Sequence, residues 1–479
     1  MTTAHPDDRP DPADVPAGPY ADGPGAEDLT VTVPALGRLG WAEVVRAGQV
    51  GLVLAFHLAL AVVAWPWRKI RGGTTLAESA SLGVVSAFLA LGPTFVKLGQ
   101  LMASSSGLFP APLADACLRF LDDVPPVSAA EARAVIEADL GRRVDELFAD
   151  FDDAPLSAAS VAQVHRCTLP DGREAVIKVQ RPGINRRMRV DLSTAYIGAQ
   201  LLERLFTFFR IANATAIIRD LNRATAYELN SLVEARRQET VRANLWAFGD
   251  NAGVTAPEVY WSHCGRRVIC MERLRGVPLD QFDVLRAAES DTELLIRRGV
   301  KAWLESILIH GPFHGDVHAG NLWRLDDGRI ALLDFGIVGE LPPAWREVLR
   351  RMFQATALDG DFGAVASMIR KMGYVEQAGE TDAEIGARLQ EVLAPVLAGG
   401  LSDLKLSALI MALVDVGRTW GVASPEELVL FGKQLGYFER YAAELAPDWT
   451  LGSDLYLLRN VFPEQVAARA AERGVTLPD

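Results

Sequence analysis

Cysteine is scarce in this chain of 479 residues. Cys117, Cys167, Cys264 and Cys270 show no paired spacing, which excludes a disulfide scaffold and a thiolate zinc site and points to a reducing, cytosolic-side compartment. Basic charge is short as well. With 48 Lys and Arg against 61 Asp and Glu, the formal net charge is −13, and so acidic a chain lacks the basic face of a nucleic-acid binder. Long apolar runs are nearly missing. One, at 47–67, has no counterpart of similar length, and 459–479 is amphipathic and charged. The N-terminus does not read as a secretory signal, because the first apolar run begins too late and acidic sequence precedes it. Internal repeats are absent, and proline is missing throughout 187–244, where the pattern is helical.

Half of the residues are apolar, enough for a sizeable core. Residues 1–33 carry seven acids against the single Arg9, are rich in Pro, Gly and Ala, and read as a disordered acidic tail. The uncharged run 47–67 is long enough to cross a bilayer. Trp65 and Trp67 would then sit at an interface, with Arg68, Lys69 and Arg71 holding that end on the cytoplasmic side. Gln49, Gly51, His57 and the many alanines leave two other readings open, an anchor lying on the membrane surface and a soluble packing helix.

Beyond that run, 75–104 is helical in pattern with a break at Gly92-Pro93, and Ser128 with Glu131 predicts a capping box for a helix to Leu140. Alternation predicts strands at 161–169 and 174–180, joined by a hairpin through Pro170-Asp171-Gly172. Residues 258–261 and 267–272 return to strand character, and a mostly helical remainder follows Arg275-Gly276.

The chemistry concentrates in His314-Gly315-Asp316-Val317-His318-Ala319-Gly320-Asn321, followed after the Asp326-Asp327-Gly328 hairpin by Leu332-Leu333-Asp334-Phe335-Gly336. Phosphoryl transfer needs a carboxylate to orient or deprotonate the acceptor, and an amide oxygen with a second carboxylate to hold Mg²⁺ against the phosphates. Asp316 fits the first role, Asn321 and Asp334 the second. Either half alone is a weak signal, a polar loop or a buried strand ending in a turn; the order and spacing together make it specific. His314 reads as a brace of this loop. Ala175-Val176-Ile177-Lys178 adds a strand lysine able to pair α and β phosphates, and such a lysine needs a helix carboxylate, for which Glu228 and Glu234 are candidates. Ahead of it, where a Gly-rich flap is expected, stands Ser157-Ala158-Ala159-Ser160-Val161-Ala162. Small residues let backbone approach phosphate, but alanine disfavours the positive φ that glycine permits.

Over roughly 75–460 the chain resembles the UbiB (AarF, ADCK-type) atypical kinase-like family. The resemblance is carried by Pro93-Thr94-Phe95-Val96-Lys97-Leu98-Gly99-Gln100, by the Ser-Ala-Ala-Ser-Val-Ala-Gln-Val-His run at 157–165, by Val-Ile-Lys-Val-Gln-Arg-Pro-Gly at 176–183, and by the two acid segments. Pro125-Pro126 and the stretch from Glu426-Glu427-Leu428 to Asp448 are similar too. It implies an α+β, two-lobed protein-kinase-like fold: a helical extension at 34–150, a small mostly β N-lobe at 151–275 and a helical C-lobe at 276–479. It further implies ATP or ADP and Mg²⁺ as cofactors, with Ala158, Ala159, Ser160, Lys178 and Glu272 as the nucleotide-binding set. Lys178 would pair with Glu234, while Lys97, Gln100 and Glu228 would belong to an extension folded over the pocket.

The implied role is an ATP-dependent kinase or ATPase on the cytoplasmic side of a membrane, peripheral or single-span. It would serve isoprenoid quinone or lipid metabolism, with a membrane lipid, a quinone or its precursor, or a biosynthetic complex as partner. Departures from the family fall around the substrate pocket: Asn230 replaces an Asp, Ser157 an Ala, Gly315 an Ala, and Val317 and Ala319 replace prolines, while Ser105-Ser106-Gly107 stands where an Arg is common. Two other readings use the same residues. One is a small-molecule phosphotransferase of the aminoglycoside/choline-kinase type, against which Val179-Gln180-Arg181-Pro182 and the Lys97 stretch argue. The other is a nucleotide-gated lipid-binding scaffold without turnover.

Overall fold

The computed structural model describes residues 18–104, 109–118, 126–211, 213–288, 291–373, 380–397, 405–422, 424–449 and 451–478. The chain divides into two compact units, Met1–Val233 with Val259–Arg273, and Glu234–Glu258 with Leu274–Asp479. The expected extension and the strand-rich segment therefore share one unit, whereas 234–258 goes with the other.

The first unit begins with helices α1 (Trp41–Gly72), α2 (Leu76–Leu91), α3 (Pro93–Ser104), α4 (Ala111–Cys117), α5 (Ala129–Leu140) and α6 (Val144–Leu147). Gly73, at φ 69°, ends α1 in the left-handed conformation that glycine adopts without strain. Both Thr75 and Ser128 form the reciprocal capping box, with Glu78 and Glu131 respectively, so the starts of α2 and α5 are written locally. The break predicted at Gly92-Pro93 separates α2 from α3. At the crossing of α1 and α2, a Cβ on Gly83 would stand 2.8 Å from the Ala61 Cβ, so only glycine permits this approach. Buried Asp191 accepts from Arg46 Nε at 2.6 Å and Thr94 Oγ1 at 2.8 Å, which ties α1 and α3 to α7 (Ile184–Leu205). Losing one partner of so buried an ion pair costs about 3–5 kcal/mol.

Strands β1 (Asp150–Ala158), β2 (Ala162–Thr168) and β3 (Glu174–Gln180) precede α7; α8 (Thr207–Ile211), α9 (Ala214–Glu228), α10 (Ser231–Ala247), β4 (Val254–Thr255) and β5 (Val268–Glu272) follow it. The antiparallel order is β1-β2-β3-β5. In β3 the alternation puts Ala175, Ile177 and Val179 in the core and leaves Lys178 on the other face. Sequence patterning missed β1, whose Pro155 and three acids obscure any alternation. It lies at the sheet edge, with register shifts on either side of Pro155, which is where a strand tolerates proline. The strand expected at 258–261 reduces to one bridge, Val259 with Met271, ahead of a 3₁₀ turn at Trp261–His263.

The tail expectation also needs correcting. Residues 1–17 lie outside the described residues, but from Gly18 the segment is tied to this unit. The Gly18 N–H donates to Ser262 O at 2.6 Å, Arg266 pairs with Asp28 at 2.7 Å, and Asn230 Nδ2 donates to Asp28 O at 2.9 Å. These partners lie more than two hundred residues away in sequence, so local composition could not reveal them.

In the second unit, β6 (Gly276–Pro278), α11 (Phe282–Ala287) and α12 (Thr292–Glu305) lead to β7 (Pro312–His314), β8 (Leu322–Leu325), β9 (Ile330–Leu332) and β10 (Val338–Glu340). Helices α13 (Pro343–Gln354), α14 (Phe362–Lys371), α15 (Asp382–Leu397), α16 (Leu406–Thr419), α17 (Glu426–Leu445) and α18 (Pro463–Arg473) complete it. Its sheets are β4-β9-β8-β6 and the pair β10-β7. The core centres on Trp303 of α12, whose ring lies 5.3 Å from Phe431 and 5.2 Å from Phe438 of α17.

Candidate functional site

The acid loop leaves β7 at His314, which is fully buried. His314 Nε2 lies 2.8 Å from Leu333 O, and Nδ1 lies 3.1 Å from the Asp316 N. A carbonyl only accepts and an amide only donates, so this ring is the neutral tautomer with its proton on Nε2. Burial pushes its pKa below the ordinary histidine value, in agreement with that assignment. With both nitrogens engaged, His314 is a brace between the acid loop and the strand leading to Asp334.

Further braces come from helices. Trp303 Nε1 donates to His314 O at 2.9 Å, the Val317 N–H donates to Gln434 Oε1 at 2.9 Å, and Tyr441 Oη donates to Val317 O at 3.1 Å. Asp316, between these anchors, keeps its carboxylate one-third exposed, with His318 Nε2 3.6 Å from Oδ2. Gly315 has a local reason as well: a Cβ there would stand 2.8 Å from Ile337 Cγ2 and 3.0 Å from Leu430 Cδ2.

Asn321 Nδ2 donates to Asp316 O at 3.0 Å, which leaves the amide oxygen as the atom suited to a cation. Its own carbonyl accepts from the Leu333 N–H at 2.8 Å, extending the β8–β9 ladder and setting Asn321 beside the residue that precedes Asp334. Asp334 has φ 57°, a left-handed conformation uncommon outside glycine, and its Oδ1 accepts from the Gly336 N–H at 3.1 Å. Phe335 is fully buried against the His314 ring, 4.9 Å between centroids, so the turn is pinned while the Asp334 side chain stays exposed. Two oxygen donors of this kind fit Mg²⁺, which takes one or two protein oxygens and fills the remaining positions with water and phosphate. Among the described residues there is no group of three or more His, Cys, Asp or Glu that could form a self-sufficient metal cage.

Glu234 is a buried residue of α10 in this unit. One turn further on, Arg237 donates to Gly336 O at 3.0 Å, fixing the turn after Asp334 from the same helix. Sequence reasoning missed Arg237, Trp303, Gln434 and Tyr441. The only trace in the sequence is polar atoms at helical spacing, Gln434 and Tyr441, on an otherwise apolar face of α17.

In the first unit, Lys178 is half-buried at the middle of β3, paired with Val164 on β2 and Ile269 on β5. Glu272 ends β5 opposite Ala175. The flap turn closes with the Ala159 N–H donating to Ala162 O at 2.8 Å, and Arg181 Nε donates to Ala159 O at 2.9 Å. Among the described non-glycine residues only Asn213 and Asp334 have positive φ, so Ala158, Ala159 and Ser160 turn without it. On α3, Lys97 and Gln100 stand one turn apart, and Lys97 forms an ion pair with Glu228 at the end of α9. Asn230 uses both ends of its amide, Nδ2 on Asp28 O and Oδ1 on the Leu232 N–H at 3.2 Å. An aspartate could make only the second bond. Residues 105–107 and Pro125 lie outside the described residues.

With this geometry in hand, the comparisons with known proteins are decisive. Residues 119–369 match the ABC1 atypical kinase-like domain and residues 389–450 the UbiB helical domain. The chain belongs to the UbiB-type ABC1 atypical kinase-like family. An uncharacterized protein of Mycobacterium tuberculosis is 36% identical over 367 residues, covering 77% of this chain and 75% of that protein. The probable protein kinase UbiB of Azotobacter vinelandii is 34% identical over 367 residues, covering 75% and 67%. An uncharacterized chloroplastic aarF domain-containing protein kinase of Arabidopsis thaliana is 33% identical over 391 residues, covering 77% and 72%. The kinase-like α+β fold, with a helical N-terminal region ahead of the strands and many helices after them, is thereby shown for this UbiB-type chain.

Proposed function

We propose that this UbiB-type chain is an ATP-dependent kinase or ATPase, associated with a membrane and serving isoprenoid quinone or lipid metabolism. The observation that carries this reading is the second unit's acid set. The Asn321–Leu333 backbone bond brings the amide donor beside the Asp334 turn, while Asp316 offers a partly exposed carboxylate on a braced loop. Asn321 and Asp334 would hold Mg²⁺, which when bound offsets phosphate charge. Asp316 would orient the acceptor hydroxyl, or water, and receive its proton as the new P–O bond forms and the bond from the transferred phosphorus to the departing ADP oxygen breaks. Lys178 contributes a fixed cation for the α and β phosphates, and the Ala158-Ala159-Ser160 turn offers backbone to them. The name UbiB carried by relatives supports the quinone assignment, and α1, long and apolar enough to cross a membrane, supports the membrane one.

The test is Mg²⁺-dependent phosphate release from ATP, with and without anionic liposomes, for the natural chain and Asp334→Asn. Slow turnover that rises with liposomes and is lost in the variant is expected. No release in either condition would sink the ATPase reading.

A further inference from the structure

The 32-residue helix α1 has two unlike faces. Toward the body, Val50, Leu54 and Ala61 pack inward, Ser79 Oγ donates to Ala61 O at 2.8 Å, and Arg46 reaches Asp191 and Leu91 O. On the opposite side, Trp41, Leu52, Phe56, Val63, Trp67 and Ile70 are 82, 74, 60, 74, 68 and 81% exposed. At about 100° per residue these six fall within one quadrant of the helix, turned away from the packed side. A continuous apolar stripe left open along a whole helix marks a docking surface.

Charge identifies the occupant. The chain as a whole is at −13, yet α1 carries Arg46, Arg68, Lys69 and Arg71 against Glu43 alone. Lys69 lies 5.3 Å over the Trp65 ring and Arg71 5.9 Å over the Trp67 ring, both at the C-terminal end of α1, where the stripe ends. At the other end, a groove of about 500 Å³ between α1 and α7 opens beside Trp41 and is lined by Arg46, Arg186 and Arg187. Apolar and aromatic groups on one face with cations at its ends match an anionic lipid surface. A second copy of the chain would instead set these cations against their own kind.

We infer that α1 docks in the plane of an anionic phospholipid bilayer with this stripe downward, and does not cross it. The inference rests on the membrane-associated reading above and narrows it. A crossing helix would have to give up its packed face, where Ala61 within the apolar run lies against Gly83 and accepts from Ser79 Oγ, or draw α2 with its Glu78 into hydrocarbon, where charge is costly.

The experiment uses the full chain with phosphatidylcholine vesicles, with and without phosphatidylglycerol. Flotation is read together with the depth of a polarity-sensitive label at Leu52→Cys, Phe56→Cys, Val63→Cys and Ile70→Cys. The native cysteines are buried and do not compete for label. Flotation with anionic vesicles and one shallow depth at all four positions is expected. Leu52→Glu with Val63→Glu should lower partitioning at least tenfold with an unchanged melting curve, because both sites are exposed. Lys69→Glu with Arg71→Glu should lower it on anionic vesicles only. Flotation with depth rising to the bilayer centre near Phe56 would overturn the in-plane placement while leaving membrane association intact. Absence of flotation would overturn both, and cross-linking of two copies through the stripe without flotation would assign the face to a dimer.

Discussion

The acid loop of the second unit is fixed through its backbone. Trp303 holds His314 O, Gln434 and Tyr441 hold both backbone groups of Val317, and Asn321 holds Asp316 O. The Lys97 corner of the first unit is held differently. Its ion pair joins two half-buried side chains, and Asn230 bonds outward to a segment near the N-terminus. Three of these braces take backbone carbonyls, which any residue offers, whereas the Val317 N–H to Gln434 is open only because 317 is not the proline usual there. Side-chain pairing ties geometry to identity, and the Asn230 departure sits there. The acid loop is thus built into the scaffold, and the surroundings of Lys97 are left open to retuning.

The largest effect that tests this contrast is Trp303→Ala. It empties the centre of the second unit's core and removes the anchor on His314 O, so a loss of about 3–5 kcal/mol is expected by denaturant unfolding. Lys97→Ala, by contrast, should cost no more than about 1 kcal/mol, as for other solvent-screened pairs. Comparable losses in the two variants would erase the distinction.

What was legible in the sequence follows from the same physics. The acid segments carrying Asp316, Asn321 and Asp334 stand out in the sequence by residue type and spacing, and the capping boxes because they are local. Trp303, Arg237, Gln434 and Tyr441 do not. Their roles come from which backbone group lies opposite after folding, and α17 is over a hundred residues beyond Val317. Strand β1 was hidden by Pro155, which its edge position tolerates, and the anchoring of 18–33 by partners remote in sequence.

A smaller break is Gly339→Ala. Gly339 pairs with Phe313 across β7 and β10, and a Cβ would stand 2.4 Å from the Phe313 ring, which is buried and cannot swing aside. Overpacking of this kind costs about 1–3 kcal/mol. Thermal melting should show the loss, and Mg²⁺-dependent phosphate release should fall with it, because β7 delivers His314.

In the first unit, Asn230→Asp removes the donor to Asp28 O and keeps the cap on the Leu232 N–H. Losing one such bond is worth about 1 kcal/mol. Hydrogen exchange should quicken across 18–33 and stay unchanged in the acid loop. Unaltered exchange at 18–33 would show that Arg266 and Ser262 suffice to hold the segment.

The smallest effect belongs to the flap. Ala159→Gly takes nothing from the turn's bonds, since the Ala159 N–H and O that meet Ala162 and Arg181 are backbone groups. Because the turn uses no positive φ, glycine gains no native conformation there and only enlarges the unfolded ensemble, a cost below about 1 kcal/mol. Exchange at 159–162 should quicken and the affinity for a fluorescent nucleotide analogue should shift, with melting nearly unmoved. If melting dropped as far as in Gly339→Ala, the flap would be as tightly built into the first unit as the acid loop is into the second.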